Sequence, residues 1–275
     1  MRGDDLQHLY DSDYAEAYDE GFLLGPHNQA TTDFELGLIR EALAGGGRWL
    51  DLGCGTGHVL AQFPGVARAG LDLATAMVAM ARGRNPDALF VEQGDFRAAR
   101  SEWVGQWDLV TCMWGAYCYV DSFAEARQLV RNMVEWTAPG GAILIPCIVF
   151  PGDAIPHRHV PSPWQRGEAI VHGYVWSWED GDKFHPDMIV PHSGQFVEWL
   201  APFFGHVRVV RYPTGRTAVL ARERRAADAP GAPTIVWDEG TRALGRPALA
   251  EASMSALARE LLARILGRRR WKVGR

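Results

Sequence analysis

The sequence of 275 residues contains few cysteines, and they form no recognisable motif. The four cysteines include neither a C-x-x-C pair nor a C-x-x-x-C-x-x-C cluster. A zinc site, a redox dithiol and the iron–sulfur cluster of radical enzymes are therefore not expected. The histidines have scattered spacings, so no metal site is predicted from them either. Free thiols in a reducing compartment are the simplest interpretation.

Long apolar runs and an excess of basic charge are also missing. No stretch approaches about 18 apolar residues, and the first residues show no basic-then-apolar signal pattern. We therefore expect a cytoplasmic protein without a membrane span. The net charge of −5 gives no broad basic surface for nucleic acid, so nucleic acid is not an expected partner. With 47% hydrophobic residues, the chain can still build a core of ordinary density.

The most informative stretch of the chain is WLDLGCGTG, residues 49–57. It predicts a short buried strand that ends in a turn with three glycines and then opens a helix. Asp51 stands at the carboxyl end of this strand, where open α/β sheets bind their ligands. The dinucleotide motif G-x-G-x-x-G does not fit, because its third glycine falls on His58.

Strand and helix patterns alternate from about residue 33 to residue 149, which is typical of a parallel sheet with crossover helices. The predicted strands are 48–52, 67–73, 89–92, 107–113 and 142–150. The predicted helices are 33–44, 75–82, 121–137 and 193–204. Residues 170–178 are predicted to form one antiparallel strand, and residues 207–212 and 217–221 a closing hairpin.

The pattern D-x-G-x-G-x-G in residues 51–57 resembles the first motif of class I S-adenosylmethionine-dependent methyltransferases. Further features follow in the order of that family, namely Asp72, Gly94-Asp95-Phe96, Cys112-Met113-Trp114 and the turn at 138–141. The resemblance covers residues 48–150. It implies a doubly wound, seven-stranded, mostly parallel Rossmann-like sheet with an antiparallel last strand. The implied cofactor is S-adenosylmethionine, with S-adenosylhomocysteine as product.

Asp72 closes the second strand, where a carboxylate can accept hydrogen bonds from both ribose hydroxyls. A helix N-cap is the alternative role for this residue. The residues expected to bind the cofactor lie in the glycine turn, at strand ends or near the N-terminus: Tyr14, Tyr18, Asp51, Gly53, Cys54, Gly55, Gly57, Asp72, Leu73, Met77, Gly94, Asp95, Phe96, Cys112 and Met113.

Residues 10–19 resemble the N-terminal lid segment of amino-sugar N-methyltransferases, in which an early tyrosine covers the cofactor. The alternative is an amphipathic helix that only packs on the domain. We therefore predict a lid segment (residues 1–32), a methyltransferase domain (33–225) with an insertion at about 151–192, and a linker with a C-terminal amphipathic helix (226–275).

The acceptor side departs from the family pattern. Tyr119 stands where the amino-sugar group that the chain resembles has a histidine, so the sequence leaves both the base and the substrate open. His157 and His192 in the insertion are further candidates for a general base, because histidine titrates near neutral pH. The acceptor pocket is expected to have aromatic walls, from Trp114, Tyr117, Trp176 and Trp178.

Two acceptor classes are disfavoured. The Asn/Asp-Pro-Pro-Tyr/Phe run of amino-methylating DNA enzymes and the glutamate pair of protein-arginine enzymes are both missing after the fourth strand. The sequence thus predicts methylation of an oxygen or nitrogen of a small molecule, such as a sugar or secondary metabolite. A non-catalytic cofactor-binding scaffold and, less favoured, a nicotinamide oxidoreductase are the alternatives. The C-terminal segment leaves a homodimer open.

Overall fold

The structure is a computed structural model, and it describes residues 7, 9–26, 28–148, 156–161, 168–172, 175–180, 183–226 and 231–239. Within residues 156–187 it describes the backbone of the strands and not their side chains. The amphipathic helix expected at 247–266 lies outside the described residues.

A mixed sheet of eight strands forms the centre of the molecule, in the order β12-β10-β11-β5-β4-β1-β2-β3. Its strands are β1 (Arg48–Leu52), β2 (Ala67–Asp72), β3 (Phe90–Gln93), β4 (Trp107–Thr111), β5 (Thr137–Cys147), β10 (Phe204–Arg211), β11 (Thr217–Arg224) and β12 (Thr234–Trp237). Neighbouring strands from β3 to β5 pair in parallel, while β11 runs antiparallel to both β5 and β10. The predicted α/β class with a mostly parallel sheet is therefore confirmed.

Helices cover both faces of this sheet. They are α1 (Ser12–Tyr18), α2 (Gln29–Ala42), α3 (His58–Ala61), α4 (Thr75–Arg84), α5 (Phe123–Trp136) and α6 (Ser193–Leu200), with a π-helix at Asp19–Leu23. Successive side chains of a strand point to opposite faces. Trp49 accordingly packs in one buried cluster with Ile39 of α2, whereas Leu50 packs in another with Leu129 of α5. The carboxyl ends of β1, β2 and β4 thus meet at one edge between two helical layers.

The sequence missed one strand of this sheet. Residues 234–237 fall in the predicted linker, but they pair in parallel with β10 from His206 to Val209. The segment Thr-Ile-Val-Trp is β-branched and aromatic, which suits an edge strand, but four residues give a weak periodic signal. The sheet consequently has eight strands rather than seven.

The insertion forms a second sheet of four antiparallel strands: β6 (Pro156–Pro161), β7 (Glu168–His172), β8 (Val175–Asp180) and β9 (Lys183–Ile189). The single strand predicted at 170–178 is wrong, because this stretch contains parts of β7 and β8, which pair with each other. The sequence pattern alternates across the boundary between the two strands, so periodicity could not separate them.

The four cysteines are buried and unpaired as thiols: Cys54, Cys112, Cys118 and Cys147. Among the residues with a described structure, no helix is both long and apolar enough to cross a bilayer.

Candidate functional site

The glycine turn after β1 has a backbone that only glycine adopts without strain. Gly53, Gly55 and Gly57 have φ values of 68°, 54° and 70°. A Cβ on Gly53 would overlap the Cβ of Ala116, while a Cβ on Gly55 would meet no atom within 4 Å. The turn therefore packs tightly on one side and leaves open space at Gly55.

Asp72 at the end of β2 is tied to this turn. Its Oδ2 accepts a hydrogen bond from the Gly55 amide at 2.8 Å, and its Oδ1 accepts one from the Ala74 amide at 2.9 Å. Burial raises the pKa of this carboxyl above its ordinary value. Helix α4 begins at Thr75 with Ala74 at the N-cap, so Asp72 does not take the alternative role of N-cap residue.

A cavity of about 700 Å³, including its open mouth, lies in front of the turn and Asp72. This first cavity brings together most of the predicted cofactor residues with the acceptor candidates Trp114 and Tyr119. Its lining consists of Tyr10, Tyr18, Gly53, Gly55, Asp72, Leu73, Ala74, Met77, Asp95, Phe96, Arg97, Met113, Trp114, Ala116 and Tyr119. Its volume and mostly apolar lining suit a cofactor-sized ligand.

Asp95 also lines the first cavity. Its carboxylate accepts hydrogen bonds from Arg97, whose Nη2 lies 2.7 Å from Oδ2. Arg97 also donates to Glu125 on α5 at 3.0 Å. Both Asp95 and Arg97 line the cavity, and no local pattern pointed to Arg97, because its position depends on the distant Glu125.

The lid segment closes the first cavity with aromatic rings. Tyr10, Tyr14 and Tyr18 contact one another with ring centroids 5.4–6.4 Å apart. The Tyr10 hydroxyl donates to the Tyr119 hydroxyl at 2.6 Å. Sequence reasoning named Tyr14 and Tyr18 and missed Tyr10, which lies at the start of the same segment.

A second cavity adjoins the first, and Tyr10, Tyr18, Trp114 and Tyr119 line both. Tyr14 lines only the second cavity. The remaining lining residues are Phe22, Gly115, Pro146, Cys147, Ile148, Met188 and Arg216. The shared aromatic residues form the boundary at which two bound molecules would meet.

Trp114 at this boundary has a strained backbone and a fixed ring. Its φ is 50°, which is unusual for a bulky residue and is found mainly at functional sites. The Arg216 guanidinium lies 4.9 Å from the centre of its ring, and the Phe22 ring packs edge-on at 5.1 Å. The indole therefore has a defined orientation between the two cavities.

Beside the second cavity lies a buried carboxyl that the sequence did not reveal. Glu35 on α2 accepts a hydrogen bond from the Tyr212 hydroxyl at 3.1 Å, and burial raises its pKa to about 8. Arg216 acts on Glu35 in the opposite direction, lowering its pKa. Glu35 and Arg216 are 181 positions apart in sequence, so local patterns could not link them.

Asp51 is placed behind the turn rather than in either cavity. It is 1% exposed, and its carboxylate accepts a hydrogen bond from the Thr111 hydroxyl at 2.6 Å. Thr111 accepts in turn from the Trp49 indole at 2.9 Å. Burial raises the pKa of Asp51 to about 7. In this structure Asp51 links β1 to β4 through Thr111, and its predicted contact with the cofactor stays a prediction.

Four other predicted cofactor residues also lie outside the lining of both cavities: Cys54, Gly57, Gly94 and Cys112. Two of them, Gly57 and Gly94, are closely packed against neighbouring side chains. A Cβ on Gly57 would lie 2.8 Å from the Cβ of Ala81 in α4, and one on Gly94 would lie 2.9 Å from a methyl carbon of Leu71. The motif therefore mixes residues that face the cavity with residues that allow close packing behind it.

Two of the acceptor candidates, Tyr117 and His192, also lie outside the lining of both cavities. Tyr117 is 1% exposed and accepts a hydrogen bond from the Ile148 amide at 3.0 Å, so it belongs to the core. His192 lines neither cavity; it is the N-cap of α6, where its Nδ1 accepts from the Gly194 amide at 3.0 Å. Burial lowers the pKa of His192 to about 4, which makes it a weak base.

The remaining candidates are His157, Trp176 and Trp178. Their backbones lie in β6 and β8, and their side chains lie outside what the structure describes. Within the described part of the chain, no group of three or more His, Cys, Asp or Glu side chains is placed to hold a metal ion.

The part of the chain that forms this site matches a known protein family. Residues 50–141 match the family model described as a methyltransferase domain. This match supports the interpretation of the chain as a class I S-adenosylmethionine-dependent methyltransferase. The matched range runs from the glycine turn through β4 to the start of β5, and so includes most of the wall of the first cavity.

Two curated relatives are sugar N,N-dimethyltransferases. One, from Saccharopolyspora spinosa, acts on dTDP-4-amino-2,3,4,6-tetradeoxy-D-glucose and is 29% identical over 59% of this chain and 66% of its own length. The other, from Streptomyces fradiae, acts on dTDP-3-amino-3,6-dideoxy-alpha-D-glucopyranose and is 29% identical over 63% of this chain and 68% of its own. The match thus spans about two thirds of each relative.

Among solved structures, the chain is similar to an amino pentose methyltransferase from Micromonospora echinaspora, solved with S-adenosylmethionine bound. The two share 26% identity with a TM-score of 0.56, over 78% of this chain and 98% of the other. The similarity covers more of the chain than the domain match does.

The residues of the first cavity fit S-adenosylmethionine, the cofactor of the family. The open side of Gly55 leaves room for a ligand against the backbone, and Asp72 presents a carboxylate beside it. Asp72 would accept hydrogen bonds from the ribose, and Asp95 with Phe96 would hold the adenine. Met113 and Tyr18 would then contact the methionine part, next to the boundary with the second cavity.

Proposed function

We propose that this methyltransferase methylates an amino nitrogen of a small sugar acceptor. The observation that carries the proposal is the shared aromatic wall, since an acceptor in the second cavity would lie directly against a cofactor in the first. The two curated relatives and the amino pentose enzyme all methylate amino sugars, which supports nitrogen over oxygen.

The bound cofactor supplies an activated methyl group on a sulfonium. The chain must hold the acceptor nitrogen in line with that methyl group and keep water out. The lid tyrosines and Trp114 cover the meeting point of the cavities, which suits both tasks. The hydroxyls of Tyr10 and Tyr119 would orient the acceptor by hydrogen bonds.

Tyr119 does not suit the role of general base. Burial raises its pKa well above the ordinary value of a phenol, so a phenolate is not available at neutral pH. Tyr119 therefore contributes by positioning the acceptor. It stands where the amino-sugar enzymes that the chain resembles have a histidine. The cytoplasmic location and a homodimer stay predictions.

The test uses purified protein, S-adenosylmethionine and dTDP-linked hexoses that carry an amino group at carbon 3 or carbon 4. Mass spectrometry should detect one or two added methyl groups together with stoichiometric S-adenosylhomocysteine. The matched control is the same sugar nucleotide with a hydroxyl in place of the amine, which should stay unmethylated. Transfer to the hydroxyl control alone would contradict the proposal. Tight cofactor binding without transfer to any acceptor would favour a binding scaffold.

A further inference from the structure

Asp19 is a buried carboxylate at the point where α1 continues into the π-helix, and it lines neither cavity. Only 8% of the residue is exposed. A charge in such a place must be paired and hydrogen-bonded, because its removal from water is costly. Its partners therefore reveal what this part of the lid is built to contact.

All partners of Asp19 come from the glycine turn and its surroundings. The Thr56 hydroxyl donates to Oδ1 at 2.6 Å, and the Arg84 Nη1 lies 2.5 Å from Oδ2. The His58 Nδ1 is further away, at 3.8 Å. Thr56 lies between Gly55 and Gly57, so the lid is joined directly to the turn that faces the cofactor.

The same groups also hold the turn itself. Arg84 at the end of α4 donates to the Thr56 carbonyl at 3.2 Å and to its hydroxyl at 3.0 Å. The neighbouring Asn85 side chain donates to the Gly57 carbonyl at 3.0 Å. Arg84 thus bonds to the turn and to the lid with one nitrogen, and loss of either contact affects the other.

Two further contacts attach the lid to elements that border the first cavity. The Gln7 side chain donates to the Leu73 carbonyl at 2.6 Å and accepts from the Thr75 amide at 2.9 Å, at the end of β2. The Tyr10 hydroxyl meets Tyr119 after β4. The lid is therefore attached at three places around the cavity. The attachment through Asp19 is a charged contact with Arg84.

We infer that Asp19 is a positioning residue that couples lid closure to the conformation of the glycine turn, so that release of the cofactor product requires this contact to break. The inference rests on cofactor binding in the first cavity and not on the identity of the acceptor. Asp19 acts through Thr56 and Arg84 and touches no reacting atom.

The decisive measurement is the rate of S-adenosylhomocysteine dissociation by stopped-flow fluorescence. Asp19→Asn should dissociate roughly tenfold faster, because it leaves Arg84 without its charged partner. Association should change far less, since it does not require the closed lid. Thr56→Val should act in the same direction, and Thr56→Ser, which keeps the hydroxyl, should restore the slow rate. The matched control is Asp13→Asn, which removes the charge of an exposed side chain in α1. This variant should leave the rate unchanged.

Limited proteolysis provides the second measurement. S-adenosylhomocysteine should protect the lid of the natural protein from cleavage, and this protection should be largely lost in Asp19→Asn and Thr56→Val. If these variants only unfold at lower temperature while dissociation and protection stay unchanged, Asp19 is merely structural and the inference is wrong. If no amino sugar is methylated but Asp19→Asn still releases S-adenosylhomocysteine faster, the proposed acceptor is wrong and the inference about Asp19 stands.

Discussion

The two cavities share one aromatic wall, but they are built from different kinds of contact. The first cavity is shaped by backbone conformation at Gly53 and Gly55 and by Asp72, which lie within twenty residues of one another. The second is shaped by side chains from distant parts of the chain, among them Phe22 and Arg216. Cofactor recognition is consequently local in sequence, whereas acceptor recognition is not.

This difference predicts that a single methyl group in the glycine turn has the largest effect. Gly53→Ala should weaken S-adenosylhomocysteine binding by about 3 kcal/mol or more, because it combines a strained φ with an overlap against Ala116. Titration calorimetry measures the change. Gly83→Ala in α4, where a Cβ meets no atom within 4 Å, is the control and should bind normally. Normal binding by Gly53→Ala would show that the turn is not rigid.

On the acceptor side, the buried Glu35 should make stability depend on pH. Its folded pKa of about 8 lies above the value in the unfolded chain, so its favourable contribution is complete at low pH and is lost as the pH rises through about 8. Glu35→Gln should remove this loss and flatten the curve by about 2 kcal/mol between about pH 6.5 and pH 9. Urea unfolding at several pH values measures it, and parallel curves for both proteins would contradict the assignment.

The next largest effect on ligand binding is expected at Asp72, the carboxylate of the first cavity. Asp72→Ala should weaken S-adenosylhomocysteine binding by about 1.5–3 kcal/mol, the scale of hydrogen bonds to a charged group. Part of the loss comes from the Gly55 amide, which loses its acceptor. Glu102→Ala, an exposed carboxylate outside the cavities, serves as the control. Unaltered affinity in Asp72→Ala would remove it from the ribose role.

The smallest effect is expected at the shared wall. Tyr119→Phe removes the hydrogen bond with Tyr10 and keeps the ring, so cofactor affinity should fall by about 0.5–1.5 kcal/mol. Tyr10→Phe should give a similar loss, and the double variant should lose little more, because both remove the same bond. Fully additive losses would show that the two hydroxyls act independently.

The first cavity could be predicted from sequence because its signals are local. The glycine spacing, the carboxylate at the end of β2 and the order of strands follow one another within a single alternating pattern, and the five predicted strands of this region are present in the fold. The sequence could not separate cavity-facing residues from those behind them. Asp51 and Gly57 belong to the same motif as Gly55, and only packing assigns them to the rear.

The acceptor side could not be predicted to the same depth. Tyr117 and His192 have residue types that suit a pocket, but burial in the core and a helix cap account for them. Arg216 and Glu35 were missed because their proximity arises from the pairing of distant elements. Chemistry inferred from residue type is thus weakest where the fold brings together segments that no local pattern connects.

The place at which the insertion leaves the main sheet has a consequence for how such enzymes diverge. Strands β5 and β11 pair from Ile143 to Cys147, although the insertion and α6 lie between them in the chain. Ile148, which comes just before the insertion, and Met188, which lies near its end, both line the second cavity. Exchange of this segment during evolution can therefore change which molecule is accepted while the hydrogen-bond register of the sheet, and with it the glycine turn, is inherited intact.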